Sequence, residues 1–255
     1  MTTEKVQAAA PNPLKALDIL EGLAQCPKGA GVSELAEMTQ LSKSSVYRIL
    51  MALVQRQYVV KDDHAKVYQL GFRPLSLASA VLDSLEIKHI ARSELRHISD
   101  ATGETVHLMC LDGMEAVYVD KIETPNPIGL KSQIGKRLPL YCTSGGKALL
   151  AHTSDQFIQQ YMGSTQLIQC TPKTLTTPQA LMEELERIRH QGYALDDEEH
   201  HINITCIAVP ILNHRQEIQA SISIAAPSYR FGVQQALKYK ELLMASAQSI
   251  AMQLL

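Results

Sequence analysis

Across residues 31–68 apolar positions recur first at helical and then at strand spacing. Val32-Ser33-Glu34-Leu35-Ala36 opens a short helix, Thr39-Gln40-Leu41 makes a turn, and Ser42 is placed to cap the next helix by accepting from a first-turn N–H. In that second helix Val46, Ile49, Leu50 and Leu53 fall at i, i+3, i+4 and i+7, a single stripe that buries itself. Lys43, Ser44, Tyr47, Arg48 and Met51 are left on the opposite face. Residues 58–61 and 66–70 then read as strands around Asp62-Asp63-His64-Ala65. A small helix over 14–24, with Leu17, Leu20, Leu23 and Ala24 on one face, stands in front. Two amphipathic helices alone can be a hairpin that merely packs. With the ribbon behind and the helix in front, the pattern predicts a winged helix-turn-helix whose second helix enters a DNA major groove. The candidate DNA contacts are Ser42, Lys43, Ser44, Ser45, Tyr47 and Arg48 on the helix, with Lys61 and Lys66 on the wing.

Beyond the wing, Pro74 suits the first turn of a helix, where its missing N–H costs nothing. Leu75, Ala78, Leu82 and Leu85 follow at three- and four-residue intervals, as in a short coiled contact or in one helix packed within a monomer. The reading adopted is a linker helix that helps two chains pair. A helix over 87–101 turns Ile90, Ala91, Leu95 and Ile98 inward and stops before Gly103, a C-terminal glycine cap. Strands are predicted at 104–111 and 116–122, flanking the turn pair Asp112-Gly113, and at 128–133, 193–196, 206–211 and 218–225. Helices are predicted at 146–152, 153–162, 179–191 and 233–255. The domain organisation is then a flexible tail over 1–10, a winged helix-turn-helix domain over 11–72, a linker helix over 73–86 and a second domain over 87–255. That second domain reads as α+β with a mainly antiparallel sheet.

Composition narrows the choices. The 255 residues, 45% hydrophobic with a formal charge of −2, fit a soluble protein with a sizeable core. No run approaches the roughly 18 apolar residues of a membrane span, and the N-terminal MTTEKVQAAAPNP lacks a signal peptide's apolar core, so the expected setting is cytoplasmic. The five cysteines are scattered, odd in number and never in a C-x-x-C pair, which suggests reduced thiols. Within 11–72 seven Lys and Arg oppose six Asp and Glu, a balance of only +1. Phosphate affinity would therefore rest on a few placed cations, one copy should bind weakly, and a dimer is the natural remedy.

The stretch Thr143-Ser144-Gly145-Gly146-Lys147 leads directly into an apolar helix, and backbone N–H groups at such a start form a ready anion site. A plain glycine-rich helix start gives the same letters. A phosphate loop is rejected, because G-x-x-x-x-G-K-[ST] would need glycine at Tyr141 and a hydroxyl at Ala148. No cofactor is expected.

Over nearly its whole length the chain resembles the IclR family of bacterial transcription regulators. The resemblance is carried by SELAEMTQLSKSSVYRILMAL and VYVDKIE, then IGKRLPLYCTSGGKALLA, HQGYALDDEEHHINITCIAVPI and ASISI. Within the family, VYVDKIE and the IGKRLPLY and GYALDDEE…CIAVP runs are most similar to regulators of sugar-acid catabolism, such as those of 2-keto-3-deoxygluconate. The resemblance implies a C-terminal effector-binding domain of GAF-like fold, self-association as a dimer or tetramer, and repression of a catabolic operon by a protein that a small carboxylate metabolite controls. It also implies that Asp196, Ile204, Cys206 and Ser223 line one wall of an effector pocket, with Leu130, Leu138, Ser144 and Gly145 on another. In such a pocket Asp196 could accept from ligand hydroxyls and Ser223 could donate or accept. Relatives with keto-acid ligands often carry Ser-x-Ser where this chain has Ser223 and Ala225, so one hydroxyl is missing.

Two rivals remain. His107 and Cys110, with His200 and His201 beside Asp197, Glu198 and Glu199, could supply zinc ligands, making a metal-responsive regulator. Yet residues three apart on a strand point to opposite faces. A Cys206 nucleophile would make the second domain catalytic, but Cys206-Ile207-Ala208-Val209 reads as a buried strand without an oriented base. The acidic run 196–199 reads as a solvated turn. The expectation is a regulator and not an enzyme.

Overall fold

The computed structural model describes residues 12–62, 64–126 and 132–254. The proposed tail over 1–10 lies outside them. The chain divides into two units, Met1–Ser84 and Leu85–Leu255.

In the first unit α1 (Asn12–Ala24), α2 (Val32–Thr39) and α3 (Lys43–Gln55) precede a ribbon of β1 (Val59–Asp62) and β2 (Val67–Leu70) and a helix α4 (Arg73–Asp83). α2 ends at Gln40, held in the left-handed region at φ 55°, and α3 starts at Ser42, whose hydroxyl accepts from the Ser45 N–H at 3.3 Å. Only Gln40, Leu41 and Ser42 thus separate the helices, with their end groups bonded. The core gathers Ile19, Leu23, Leu35, Val46, Leu50, Val59 and Tyr68. The ribbon is antiparallel, with Lys61 opposite Tyr68, and Asp62 closes its turn by accepting from the N–H groups of His64 and Ala65.

Three readings of this unit need correction. α1 buries Ile19 and Leu23, whereas Leu17 is half exposed and lies with Leu20 and Ala24 along an apolar groove shared with Leu53, Leu70, Pro74 and Leu77. The stripe seen in the sequence is divided: Leu23 enters the core and Leu20 packs against it, while Leu17 and Ala24 lie along the groove. Met51 is partly buried and packs against the core instead of standing on the exposed face, as its flexible apolar side chain allows. Finally, α4 stops at Asp83, so Leu85 falls outside it and becomes the extended cap of the following helix.

In the second unit α5 (Glu86–Thr102) ends on Gly103 at φ 69° and leads into β3 (Thr105–Asp112) and β4 (Glu115–Ile122). β5 (Arg137–Pro139) follows, then α6 (Ser144–Ala151), α7 (Asp155–Ser164) and α8 (Pro178–Gln191). β6 (Ala194–Asp197), β7 (Ile204–Leu212), β8 (Ile218–Pro227), α9 (Val233–Leu237) and α10 (Lys240–Ala251) complete it. The six strands form one antiparallel sheet in the order β5-β4-β3-β8-β7-β6. The expectation of α+β with an antiparallel sheet holds. The predicted strand over 128–133 falls mostly on residues that are not described, and its last two residues are not strand. Residues 137–139 are, although proline and arginine there hide the strand pattern. The helix predicted over 233–255 breaks at Lys238–Tyr239 into two. The β3–β4 turn is Gly113-Met114, one residue later than Asp112-Gly113, and Gly113 supplies the positive φ of 58°.

Register decides which residues share a face, since neighbours across a ladder point the same way. Val106, Leu108, Ile207, Val209, Ile222 and Ile224 form the apolar face toward α5 and α10. The other face carries Asp196, Cys206 and Ala225 in one row and Met109 beside Ser221 in another, with Ser223 and His107 paired between them. α6 packs on this second face and is buried along its whole length.

Candidate nucleic-acid interface and effector site

At the start of α3 the side chains of Ser42, Lys43, Ser44, Tyr47 and Arg48 are exposed, Tyr47 by 53%. Ser45 is half-buried and spends its N–H on the cap. Lys61 and Lys66 are exposed on the wing, Lys66 in the left-handed conformation at φ 55°. The helix therefore presents hydroxyls, a phenol and a guanidinium on a surface backed by Val46 and Leu50, both fully buried. Such a face can reach base edges, while the two lysines can meet phosphates.

In the other unit an enclosed cavity of about 20 Å³ sits where α6 begins over the sheet. Ser144, Gly145, Asp196, Ile204, Cys206 and Ser223 line it, six of the eight residues the sequence proposed. Leu130 lies outside the described residues. Leu138 does not line the cavity: it is buried in the hydrophobic core, paired on β5 with Ala116. Met109, Tyr118, Thr143, His200, His201 and Ala225 line it as well. Tyr118 and Met109 escape sequence reasoning because a register shift between Leu108 and Met109 decides which β4 residue faces inward.

The α6 start is shaped by close approach. Thr143 caps it, accepting from Gly146 N–H at 3.1 Å and donating to Pro139 O at 2.8 Å. Ser221 donates to the Gly145 carbonyl at 3.1 Å, and a Cβ on Gly145 would collide with Met109 Sδ. At Gly146 a Cβ would press on the backbone of Leu140 and Pro139 at 2.7 Å, so glycine is needed for the helix start to lie this close.

Behind that start lies Lys147, 1% exposed, with Nζ 3.1 Å from Glu184 and 2.5 Å from Glu199. Glu184 also pairs with Arg187. The acidic run is thus no solvated turn. Asp196 lies within β6 and is buried, and Glu199 turns inward because a lysine in an apolar helix needs opposite charge. Asp196 accepts from the N–H groups of Glu199 at 2.7 Å and His200 at 3.3 Å. Burial, reinforced by the Glu199 charge, raises its carboxyl from an ordinary 3.8 to about 7. Burial also raises Glu199. His200, tilted at 56° against His201 with 4.1 Å between ring centroids, is lowered to about 4, chiefly by burial and then by His201 and Lys136. His107 donates or accepts with Ser132 at 2.7 Å and stacks on Tyr118, and burial lowers it to about 3. Among the described residues no three His, Cys, Asp or Glu side chains are grouped to hold a metal ion, and no helix is long and apolar enough to cross a membrane.

The model of the IclR helix-turn-helix domain matches residues 14–63, and that of the C-terminal domain of IclR bacterial transcriptional regulators matches 79–252. The chain belongs to the IclR family. It is 32% identical over 241 residues to the HTH-type transcriptional regulator KdgR of Escherichia coli, covering 94% of this chain and 91% of that one. It is equally similar, at 32% over 234 residues, to the DNA-binding transcriptional repressor YiaJ of the same organism, covering 90% and 83%. The crystal structure of the Thermotoga maritima IclR matches with a TM-score of 0.76 at 35% identity, covering 94% and 97%. As an IclR-family member this chain is a DNA-binding transcriptional regulator with an effector domain.

Two outcomes follow from the charges. Lys147→Met leaves buried Glu199 without its cation and Glu184 with only the exposed Arg187, and should cost about 3–5 kcal/mol in urea unfolding of the effector domain. Adding Glu184→Gln and Glu199→Gln should return much of it, and a single variant as stable as the wild type would contradict the network. For Asp196 the folded pKa is raised, so the folded chain holds a proton that the unfolded chain releases from about pH 4, and stability falls as pH rises toward about 7. The lowered His107 and His200 act oppositely, removing stability as pH falls below 6.5. Asp196→Asn should therefore gain melting temperature over the wild type steadily between about pH 5 and 7 and hold that gain above. A pH-independent difference would remove the buried carboxyl from the account.

Proposed function

We propose that this regulator represses a sugar-acid or related carboxylate catabolic operon and leaves its operator when a small carboxylate metabolite binds the cavity under α6. The observation that carries this reading is the meeting of a helix start, the buried Asp196 carboxyl, raised to about 7, and Ser223 in one enclosed space. The helix start favours the ligand's carboxylate. Asp196, neutral much of the time near pH 7, does not repel that charge and can give or accept a hydrogen bond with a hydroxyl. The likeness to KdgR and YiaJ supports the operon class and the sign of control.

The cavity holds about one water, so the ligand enters by displacing a wall. The wall that gives way is the exposed end of the turn from His201 to Asn203, beyond the fastened Glu199 and His200. Coupling to DNA then amounts to about 1–3 kcal/mol, or roughly 5–150-fold in affinity. The protein works in the cytoplasm as a dimer or tetramer. Leu14, Leu17, Leu75, Leu77 and Val81 in the first unit, all at least half exposed, offer an apolar surface for pairing. The domain limits 11–72, 73–86 and 87–255 and the candidate contacts named on α3, the wing and the cavity belong to this reading.

Gel shift against the gene's own upstream region, titrated with sugar acids, keto acids and aromatic acids, tests it. A sugar acid or keto acid should release the DNA; release by an aromatic acid alone, tightening in place of release, or a response to zinc and chelator alone would each overturn it. Arg48→Ala should weaken operator binding at least tenfold while the acid's shift of the effector domain's melting temperature is retained. Loss of both would make Arg48 a structural residue.

A further inference from the structure

Away from the cavity under α6, the first turns of α5 and the later part of β4 form an open concavity of about 480 Å³. Lys88, His89, Arg92, Asp120 and Ile134 line it. Asp120 lies across the ladder from Leu108, so it points with Leu108 to the face that α5 covers, and it is 2% exposed. A carboxylate in such a place needs partners for both oxygens. Oδ1 has two, since Arg92 Nη1 donates to it at 2.6 Å and the Lys121 N–H at 2.8 Å. Oδ2 is buried and has none.

The cations beside it are also incompletely used. Arg92 Nη1 makes both of that side chain's bonds, to Asp120 and, at 3.1 Å, to Lys121 O. Nε and Nη2, which form one edge of the guanidinium, are left without a partner among the described residues. Two donors side by side suit two oxygens of one anion. Lys88 stands one turn before Arg92 on the same helix face, half-buried and with no ion pair among the described residues. No side chain caps the start of α5, whose first-turn N–H groups favour negative charge.

The two halves of the concavity ask for different groups. Lys88 and the guanidinium edge call for an anion, whereas Asp120 Oδ2 calls for a hydrogen-bond donor. An ammonium donor would stand near Lys88 and Arg92 and be repelled, so a neutral hydroxyl is the donor that fits. The volume lies within the roughly 300–1,000 Å³ of small-molecule sites.

We propose that this concavity is a second ligand site, separate from the cavity under α6, for a hydroxylated anion of the size of a sugar phosphate or sugar acid. The anionic group lies against Lys88 and the Nε–Nη2 edge of Arg92, and an adjoining hydroxyl donates to Asp120 Oδ2. The exposed side chains of the lining, His89 and Ile134, yield as it enters. Only Ser84 and Leu85 separate α5 from α4, so the ligand binds on the helix that follows directly from the DNA-reading unit.

Isothermal titration calorimetry on the full-length chain tests the site with glucose 6-phosphate, gluconate, sulfate and glucose. Glucose 6-phosphate or gluconate should bind, and the tighter of the two identifies the anionic group. Sulfate, an anion without a donor, and glucose, a donor without charge, should each bind about tenfold or more weakly than that. Lys88→Gln, a change at an accessible position, should weaken the hydroxylated anion about tenfold and leave the melting temperature in place. Asp120→Asn keeps an acceptor for Arg92 but sets an N–H group where Oδ2 stood, so it should weaken the hydroxylated anion and not sulfate. Should that variant fail to fold, Lys88→Gln decides alone. An affinity unchanged in Lys88→Gln would put the anion in the cavity under α6 or elsewhere on the chain and would overturn the site. Sulfate binding as tightly as the hydroxylated probes would overturn it too, as would no heat from either of these up to roughly 10 mM.

Discussion

A lysine buried in an apolar helix is the constraint around which the effector domain is arranged. Lys147 has no water to meet its charge, and an ammonium isolated in the interior would cost several kcal/mol or lose its proton. Glu184 comes from α8 and Glu199 from the turn after β6, so one ion cluster fixes three elements to one another. Because Lys147 lies one turn into α6, the same cluster also fixes the helix start against the sheet. The cavity is the space left between that start and the strand ends, and its electrostatics follow. Negative charge gathered near Lys147 is what, after burial itself, keeps Asp196 protonated toward neutral pH.

The DNA-reading unit uses a different economy. It carries little net charge and no buried ion cluster among its described residues; its core is aliphatic, and its polar groups are spent on helix ends and a turn. Affinity for DNA from so few cations is modest, and its salt dependence is shallow for one copy and grows as two copies add their contacts. Control by a metabolite suits that weakness, since a coupling of about 1–3 kcal/mol matters most where binding is not overwhelming.

Much of this was legible in the sequence wherever a periodic signal was strong and local. Ser42 as a cap, the Val46–Ile49–Leu50 stripe and Gly103 as a terminator each act within one turn of chain, and each appears where the pattern put it. The errors lie where tertiary contacts choose between equivalent local options. α1 carries apolar residues on more than one face, and only packing tells which are core. Glu199 reads as a solvated turn until Lys147, distant in sequence, is seen to need it. Leu138 matched a pocket position, yet pairing on β5 takes it into the core. Tyr118 became visible as a cavity wall only through a register shift that no residue pattern announces. The resemblance to the IclR family supplied most of the cavity's other residues, which spacing alone would not have brought together from α6, β6, β7 and β8.

The most direct measurement is amide hydrogen exchange on Lys147→Met against the wild type. If Lys147 organises the site, exchange should quicken together at residues 143–147, around Glu184 and across 196–203, while the β3–β4 hairpin keeps its protection. Quickening confined to α6, with the 196–203 turn as protected as before, would show that the cavity's walls are held by something other than this charge.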